Sequence, residues 1–247
     1  MPTAPTTRPT IALQTSDTQA RAYGVITGVD KWLSPETSIG LSLGLGRMSW
    51  NVEDGNGTGE GRVFQLGAYG HHRSGPLYLY LSAGVAGAYQ DLSTDRTYST
   101  ASLKGHLNGY NVGARIEADL LLPADRTIFM PYGAVQTQWL HTPAYTEGGP
   151  ALLAMSFDEG DTIASRTELG LWVNQIFTLD SGKPFALFGR VGWAHNFNDS
   201  LNIDAAMISA GTAFELNDGW SVAGKLEGEL GGSSQTYQAS GRIAYRW

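Results

Sequence analysis

Cysteine is absent from the 247 residues, which excludes a disulfide framework and any thiolate metal site. The absence suits an oxidising envelope compartment, although many cytosolic chains lack cysteine too. Charge is sparse as well: 16% of residues are Asp, Glu, Lys or Arg, below the usage of an average soluble domain. The net charge is −7, the pI is about 5.1 and no Lys/Arg run exceeds a pair, which argues against nucleic acid as a partner. No apolar stretch approaches the ~18 residues a membrane helix requires, and mean hydropathy is only −0.18. Helical insertion is thereby excluded. A β-barrel is not, because its spanning strands are only ~10 residues long and alternate in polarity. Met1 leads into PTAPTTRPT with no apolar core of a signal peptide. That fits a mature or excised segment restarted with Met, or a chain that stays in the cytoplasm. Residues 1–9 are expected to be a disordered Thr/Pro-rich lead, with residues 10–247 as the folded domain.

What the chain has in quantity is glycine, 32 residues of it, and a two-residue alternation. The last stretch, TYQASGRIAYRW, shows it plainly. Tyr237, Ala239, Gly241, Ile243, Tyr245 and Trp247 share one strand face, while Gln238, Ser240, Arg242, Ala244 and Arg246 share the other. Earlier, Ile39, Leu41, Leu43 and Leu45 oppose Gly40, Ser42, Gly44 and Gly46. Further on, Tyr110, Val112, Ala114, Ile116, Ala118 and Leu120 oppose Asn111, Gly113, Arg115, Glu117 and Asp119. A short strand is expected over residues 10–15, and others follow through the chain. The total is about twelve strands of roughly ten to fifteen residues. Residues 51–61, 91–102 and 143–161 read as polar loops, the last of them long enough to be functional. Tight turns sit at Ser34, Arg73, Pro123, Asp180 and Asn217, and they alternate with the polar, mostly longer connections. That asymmetry marks an all-β, antiparallel up-and-down transmembrane barrel. It places both termini on the periplasmic side of an outer membrane.

The smaller, more polar face carries Arg115, Glu117, Asp119, Arg166, Glu168, Arg190, Lys225, Glu227, Arg242 and Arg246. A lipocalin-like soluble barrel would have fewer strands and would fill its interior with large apolar residues. Burying these ions in a dry core would cost several kcal/mol each, whereas a wet lumen removes most of that cost. They are therefore assigned as pore-lining residues. Arg115 with Glu117, and Arg166 with Glu168, could pair to brace the wall. Trp32, Trp220 and Trp247 lie beside tight-turn ends and Trp50, Trp139 and Trp193 beside long-loop ends, as two aromatic belts would require. Only Trp172 is expected on the inner face. Five histidines are present, at 71, 72, 106, 141 and 195, and none lies in a nucleophile or metal motif. His71-His72 is expected in a solvated turn.

Taken together, the SPET turn, RVFQLGAYG before RSGPLYLYLSAGVAGAY, DLSTDR, MPYGAVQTQWLHTPAYTE, SRTELGLW, GRVGWAH and the close NDGWSVAGKLEGEL…YQASGRIAYRW resemble the C-terminal translocator domain of bacterial autotransporters, type V secretion. The resemblance covers the chain after about Thr10. It implies a twelve-stranded outer-membrane barrel whose pore takes part in exporting an N-terminal passenger, with help from the barrel-assembly machinery. It also implies that Tyr237, Ile243, Tyr245 and Trp247 form the C-terminal assembly signal. No passenger precedes residue 10, there is no room for the family's pore-spanning helix, and the Asn-Asn cleavage pair of one subgroup is missing. An isolated, truncated or re-engineered barrel acting as a passive pore is thus the alternative, and a rim-active lipid enzyme a third reading. The expected partners are outer-membrane lipid, the assembly machinery and a passenger. No cofactor, metal or catalytic residue is assigned, and the barrel is expected to be a monomer.

Overall fold

The computed structural model describes residues 18–52, 57–74, 79–180, 182–198, 202–216, 218–232 and 234–246. The expected strand over residues 10–15, the lead over residues 1–9 and the terminal Trp247 lie outside the described residues. The strands are β1 (Thr18–Ser34), β2 (Thr37–Val52), β3 (Gly57–Ser74), β4 (Leu79–Tyr98), β5 (Ala101–Leu120), β6 (Leu122–Ala124) and β7 (Thr127–Thr142). They continue as β8 (Tyr145–Thr146), β9 (Ser156–Phe157), β10 (Gly160–Thr178), β11 (Pro184–Asn198), β12 (Asn202–Glu215), β13 (Trp220–Gly231) and β14 (Gln235–Tyr245). One sheet runs β1-β2-β3-β4-β5-β7-β10-β11-β12-β13-β14, with β6 paired to β7, while β8 and β9 form a separate hairpin. Successive long strands are therefore sheet neighbours, as an up-and-down topology requires.

The strands are longer than the composition suggested. The polar stretch over residues 91–102 is not a loop: β4 runs on to Tyr98 and β5 resumes at Ala101, around a turn in which Ser99 has φ 57°. Polar residues continue a ladder as well as apolar ones when a neighbouring strand supplies backbone partners, so composition marked where the apolar face ends, not where the strand does. At the tight turns, Glu36 donates its backbone N–H to Ser34 Oγ at 3.2 Å. Asp218 and Gly219 have φ 57° and 81°, the left-handed geometry a hairpin needs for its twist to match the strands.

The chain divides into two compact units. One comprises residues up to His71 with Ala83–Arg115 and Thr137–Ala164; the other comprises His72–Ser82, Ile116–Gln136 and the chain from Ser165 onwards. Within each unit the amphipathicity is inverted relative to a water-soluble protein. In the first, Ile39, Leu41, Leu45 and Val85 are exposed, while Ser38 and Gln90 are buried. In the second, Leu226 is 66% and Leu169 60% exposed, whereas Glu168 is 5% and Arg166 8% exposed. Only a hydrocarbon solvent makes that arrangement favourable.

Glycines on the inner face receive aromatic rings from adjoining strands. A Cβ at Gly170 would lie 2.6 Å from Cε1 of Tyr132, and one at Gly192 would lie 2.9 Å from its hydroxyl. Tyr132 thus lies across two strands in a groove that only glycine leaves open. The ring of Tyr69 lies over Gly40 in the same manner, and its hydroxyl bonds to Asp30.

A charged inner face as candidate functional site

Strands β10 to β13 bring six ionic side chains onto one inner face because the side-chain period is two and the register is continuous. Arg190 stands opposite Ser209, and Ser209 opposite Glu227. Met207 stands opposite Glu229, and Gly211 opposite Lys225. Arg166 Nε donates to Glu168 Oε1 at 2.7 Å. Its two terminal nitrogens grip the Glu229 carboxylate at 2.8 Å each. Nη1 also reaches Asn196 Oδ1 at 3.1 Å, and Nη2 meets Met207 Sδ at 3.0 Å. Arg190 donates from Nη2 to Glu227 Oε1 at 2.8 Å, with its Nη1 3.6 Å from Glu168. Lys225 Nζ lies 2.7 Å from the other oxygen of Glu227. The Arg190 guanidinium sits over the Trp172 ring at 5.0 Å and the Tyr132 ring at 5.9 Å.

Three cations face three carboxylates, so the cluster is neutral. Arg166, Glu168, Arg190 and Glu227 are each less than a tenth exposed. Such a network is retained only if every charge finds partners, since one stripped of its counter-ion in low dielectric is strongly destabilising. The bidentate Arg166–Glu229 contact and the Arg190–ring contacts meet that requirement.

Among the other residues assigned to the lumen, Asp119 is buried and Arg115 and Glu117 half-buried. Arg242 stands opposite Ala223, on the face of Lys225 and Glu227, and is exposed. Arg246 is exposed, and its backbone N–H donates to the Gly219 carbonyl. Sequence reasoning did not single out Glu229, and it missed Asn196, Met207 and the ring contacts. The signal for Glu229 was its spacing of two from Glu227.

Trp139, Trp193 and Trp220 share the exposed apolar face. Trp32 and Trp50 do not: Trp32 pairs with Ser38, and Trp50 packs over Gly59 on the face of Gly46 and Ser42. A strand-end position constrains depth alone: counted in twos along β2, Trp50 falls on the face of Gly46, and Trp32 shares the face of Ser38 opposite it. Of the assembly-signal residues, Tyr237, Ile243 and Tyr245 are exposed on the apolar face. His71 is buried beside the Tyr69 ring rather than in a solvated turn, because β3 continues to Ser74.

A second polar contact organises the long connection. Glu147, buried in the stretch before β9, accepts from Arg96 Nε at 3.0 Å and Nη2 at 2.6 Å, and from the Met155 backbone N–H at 3.1 Å. Gly148 pairs with Lys104, and the Tyr145 and Phe157 rings stack at 4.7 Å. The Arg96 hydrogen bonds hold the Glu147 carboxyl below its ordinary 4.5.

Comparison with known proteins agrees with this architecture. The family model for the autotransporter beta-domain matches residues 13–236. The chain belongs to that family. The translocator domain of the autotransporter NalP from Neisseria meningitidis superposes with a TM-score of 0.83 at 18% identity, over 93% of this chain and 82% of that one. The beta domain of the Bordetella autotransporter BrkA gives 0.80 at 16% identity, over 92% of each chain. The transport unit of AIDA-I from Escherichia coli gives 0.58 at 14% identity, over 93% and 84%. An extracellular serine protease of Serratia marcescens is 23% identical over 257 residues, covering 93% of this chain and 24% of that protein. The chain therefore spans about a quarter of that curated relative. The autotransporter β-domain is thus an outer-membrane β-barrel, its leucine faces turned to lipid.

Proposed function

We propose that this β-domain supplies the hydrated passage through which an N-terminal passenger reaches the cell surface, inserted by the barrel-assembly machinery as a monomer with both termini in the periplasm. The observation that supports this best is the neutral charge cluster on the inner face. An apolar inner wall would dewet, whereas a wall of ions and amides keeps water in the passage. The exposed cations Arg242 and Arg246 and the half-buried Arg115 are the groups that set its ion preference.

The domain carries no chemistry of its own in this reading. Ser93 Oγ and Asp91 Oδ1 both approach the same nitrogen, Nδ1 of His106, at 3.5 Å. A nucleophile relay needs them on opposite ring nitrogens.

The test joins a signal peptide and a reporter segment ahead of residue 1. Surface proteolysis of intact cells should remove the reporter; an inserted barrel whose reporter stays protected would overturn the export role. In planar bilayers the domain should conduct, and Arg115→Gln with Arg242→Gln should move the reversal potential in a salt gradient. An unchanged potential would remove these arginines from the selectivity role.

A further inference from the structure

The outer ends of β4 and β5 carry a turn of the long connection on their inner face. Counted in twos, Leu103 and Gly105 of β5 share the face of Gly109 and Arg115, and Arg96 of β4 shares the face of Gln90. The connection joins the wall beside β5. Lys104 and Gly148 exchange both backbone hydrogen bonds, at 3.0 and 2.7 Å, and a Cβ at Gly105 would lie 2.7 Å from the Tyr145 ring. At Gly149 the backbone takes φ 140°, a geometry open to glycine and strained for other residues. Leu103, whose Cδ2 is 2.8 Å from where a Gly149 Cβ would stand, is 0% exposed. Beyond Gly149 the chain turns back toward Arg96, which fastens it. Besides gripping Glu147, Arg96 donates from Nη2 to the Leu153 carbonyl at 3.1 Å, and Glu147 accepts the Met155 N–H. The tip itself, PALLAM over residues 150–155, carries no charge. It buries little of its apolar surface: Leu152 is 99% and Met155 53% exposed.

We propose that residues 150–155 are a gate at the outer end of the passage, held in the folded-in position by Arg96. The inference rests on the reading of the domain as a passage and names a moving part for it. An apolar tip set on a polar inner wall is the chemistry of a gate that closes by excluding water. Its side of the wall follows from its anchor, because the guanidinium that reaches Leu153 projects from the inner face. Its mobility follows from how little holds it. A segment fixed by one polar anchor, with its leucine and methionine in solvent rather than in a core, opens locally at low cost. Opening breaks the Arg96–Leu153 contact and leaves the Lys104–Gly148 pair in place as the base, so Gly149 is the hinge. One short element with two positions, selected by a single side chain, suffices for a switch.

The experiment reads the gate in two ways on the refolded chain, whose lack of cysteine makes a single introduced thiol specific. Leu103→Cys reports the cover by its rate of modification with a water-soluble maleimide, and Ser93→Cys, on the outward face of β4, serves as control. Adding Arg96→Gln should speed labelling at position 103 about tenfold, as for a local opening that loses a charge-assisted contact, and leave position 93 unchanged. Glu147→Gln, which keeps the shape of the side chain, should act in the same direction if Arg96→Gln does not give a heat-modifiable folded band. In planar bilayers Arg96→Gln should conduct more than wild type, and a chain with residues 150–155 replaced by Gly-Ser-Gly should conduct most. Equal labelling of position 103 in all backgrounds would overturn the moving segment. Faster labelling with a conductance equal to wild type in both the Arg96→Gln and the shortened chain would overturn its role as a gate. A shortened chain that is folded and yet silent would overturn the passage reading itself, and the gate with it.

Discussion

Arg166 on β10 holds Glu229 on β13 by two hydrogen bonds of 2.8 Å, reaching across the two strands between them. The contact joins residues 63 apart in sequence and anchors the charge cluster.

Removing one end of this bridge should cost more than removing both. Arg166→Met leaves Glu229 and Glu168 without their main cation, and a loss of about 3 kcal/mol is expected. Arg166→Met with Glu229→Gln should recover ~1–2 kcal/mol of it. Urea midpoints of the heat-modifiable folded band in detergent measure both; simple additivity would mean the bridge carries no coupling.

The groove under Tyr132 is a second point of sensitivity. Gly170→Ala places a methyl group 2.6 Å from the ring and 2.5 Å from the Val191 carbonyl, so overpacking should cost ~1–3 kcal/mol. The same denaturation assay reads it, and an unchanged midpoint would show that the ring moves aside freely.

On the lipid side, arginine at Leu81 or Ile116 should destabilise the barrel by ~2–4 kcal/mol if the site lies near the bilayer midplane. Refolding titrations into phosphatidylcholine vesicles measure the effect. Tolerance of both substitutions would reverse the assignment of this face to lipid.

The long connection should respond to acid. Glu147 is held below its ordinary 4.5 by Arg96, so its contribution is fully present above that value and is lost as pH falls through the lower folded value. Proteolysis by pepsin within residues 143–157 should therefore accelerate below about pH 4.5. Arg96→Gln should make the segment susceptible to thermolysin already at neutral pH and flatten the acid response seen with pepsin. A profile unaltered by Arg96→Gln would separate the segment's order from this ion pair.

Much of the fold was legible because strand alternation is a local property. Leu41 and Gly40 sit on opposite faces whatever surrounds them, and the inverted polarity of those faces named the solvent as lipid. The hairpin at Asp218-Gly219 was likewise written in two adjacent residues whose backbones accept positive φ. So was the placement of Arg166, Glu168, Arg190 and Glu227 on the inner wall. Contact between them was another matter. Which carboxylate meets Arg166 depends on the register of three successive strand pairs, and a slip of two residues in any of them keeps every side chain on its face but changes its neighbours. Trp50 is the opposite case, since counting in twos from Gly46 along β2 already places it on the inner face. Periodicity along one strand sorts inside from outside; proximity between strands is created by pairing, and no single strand contains that information.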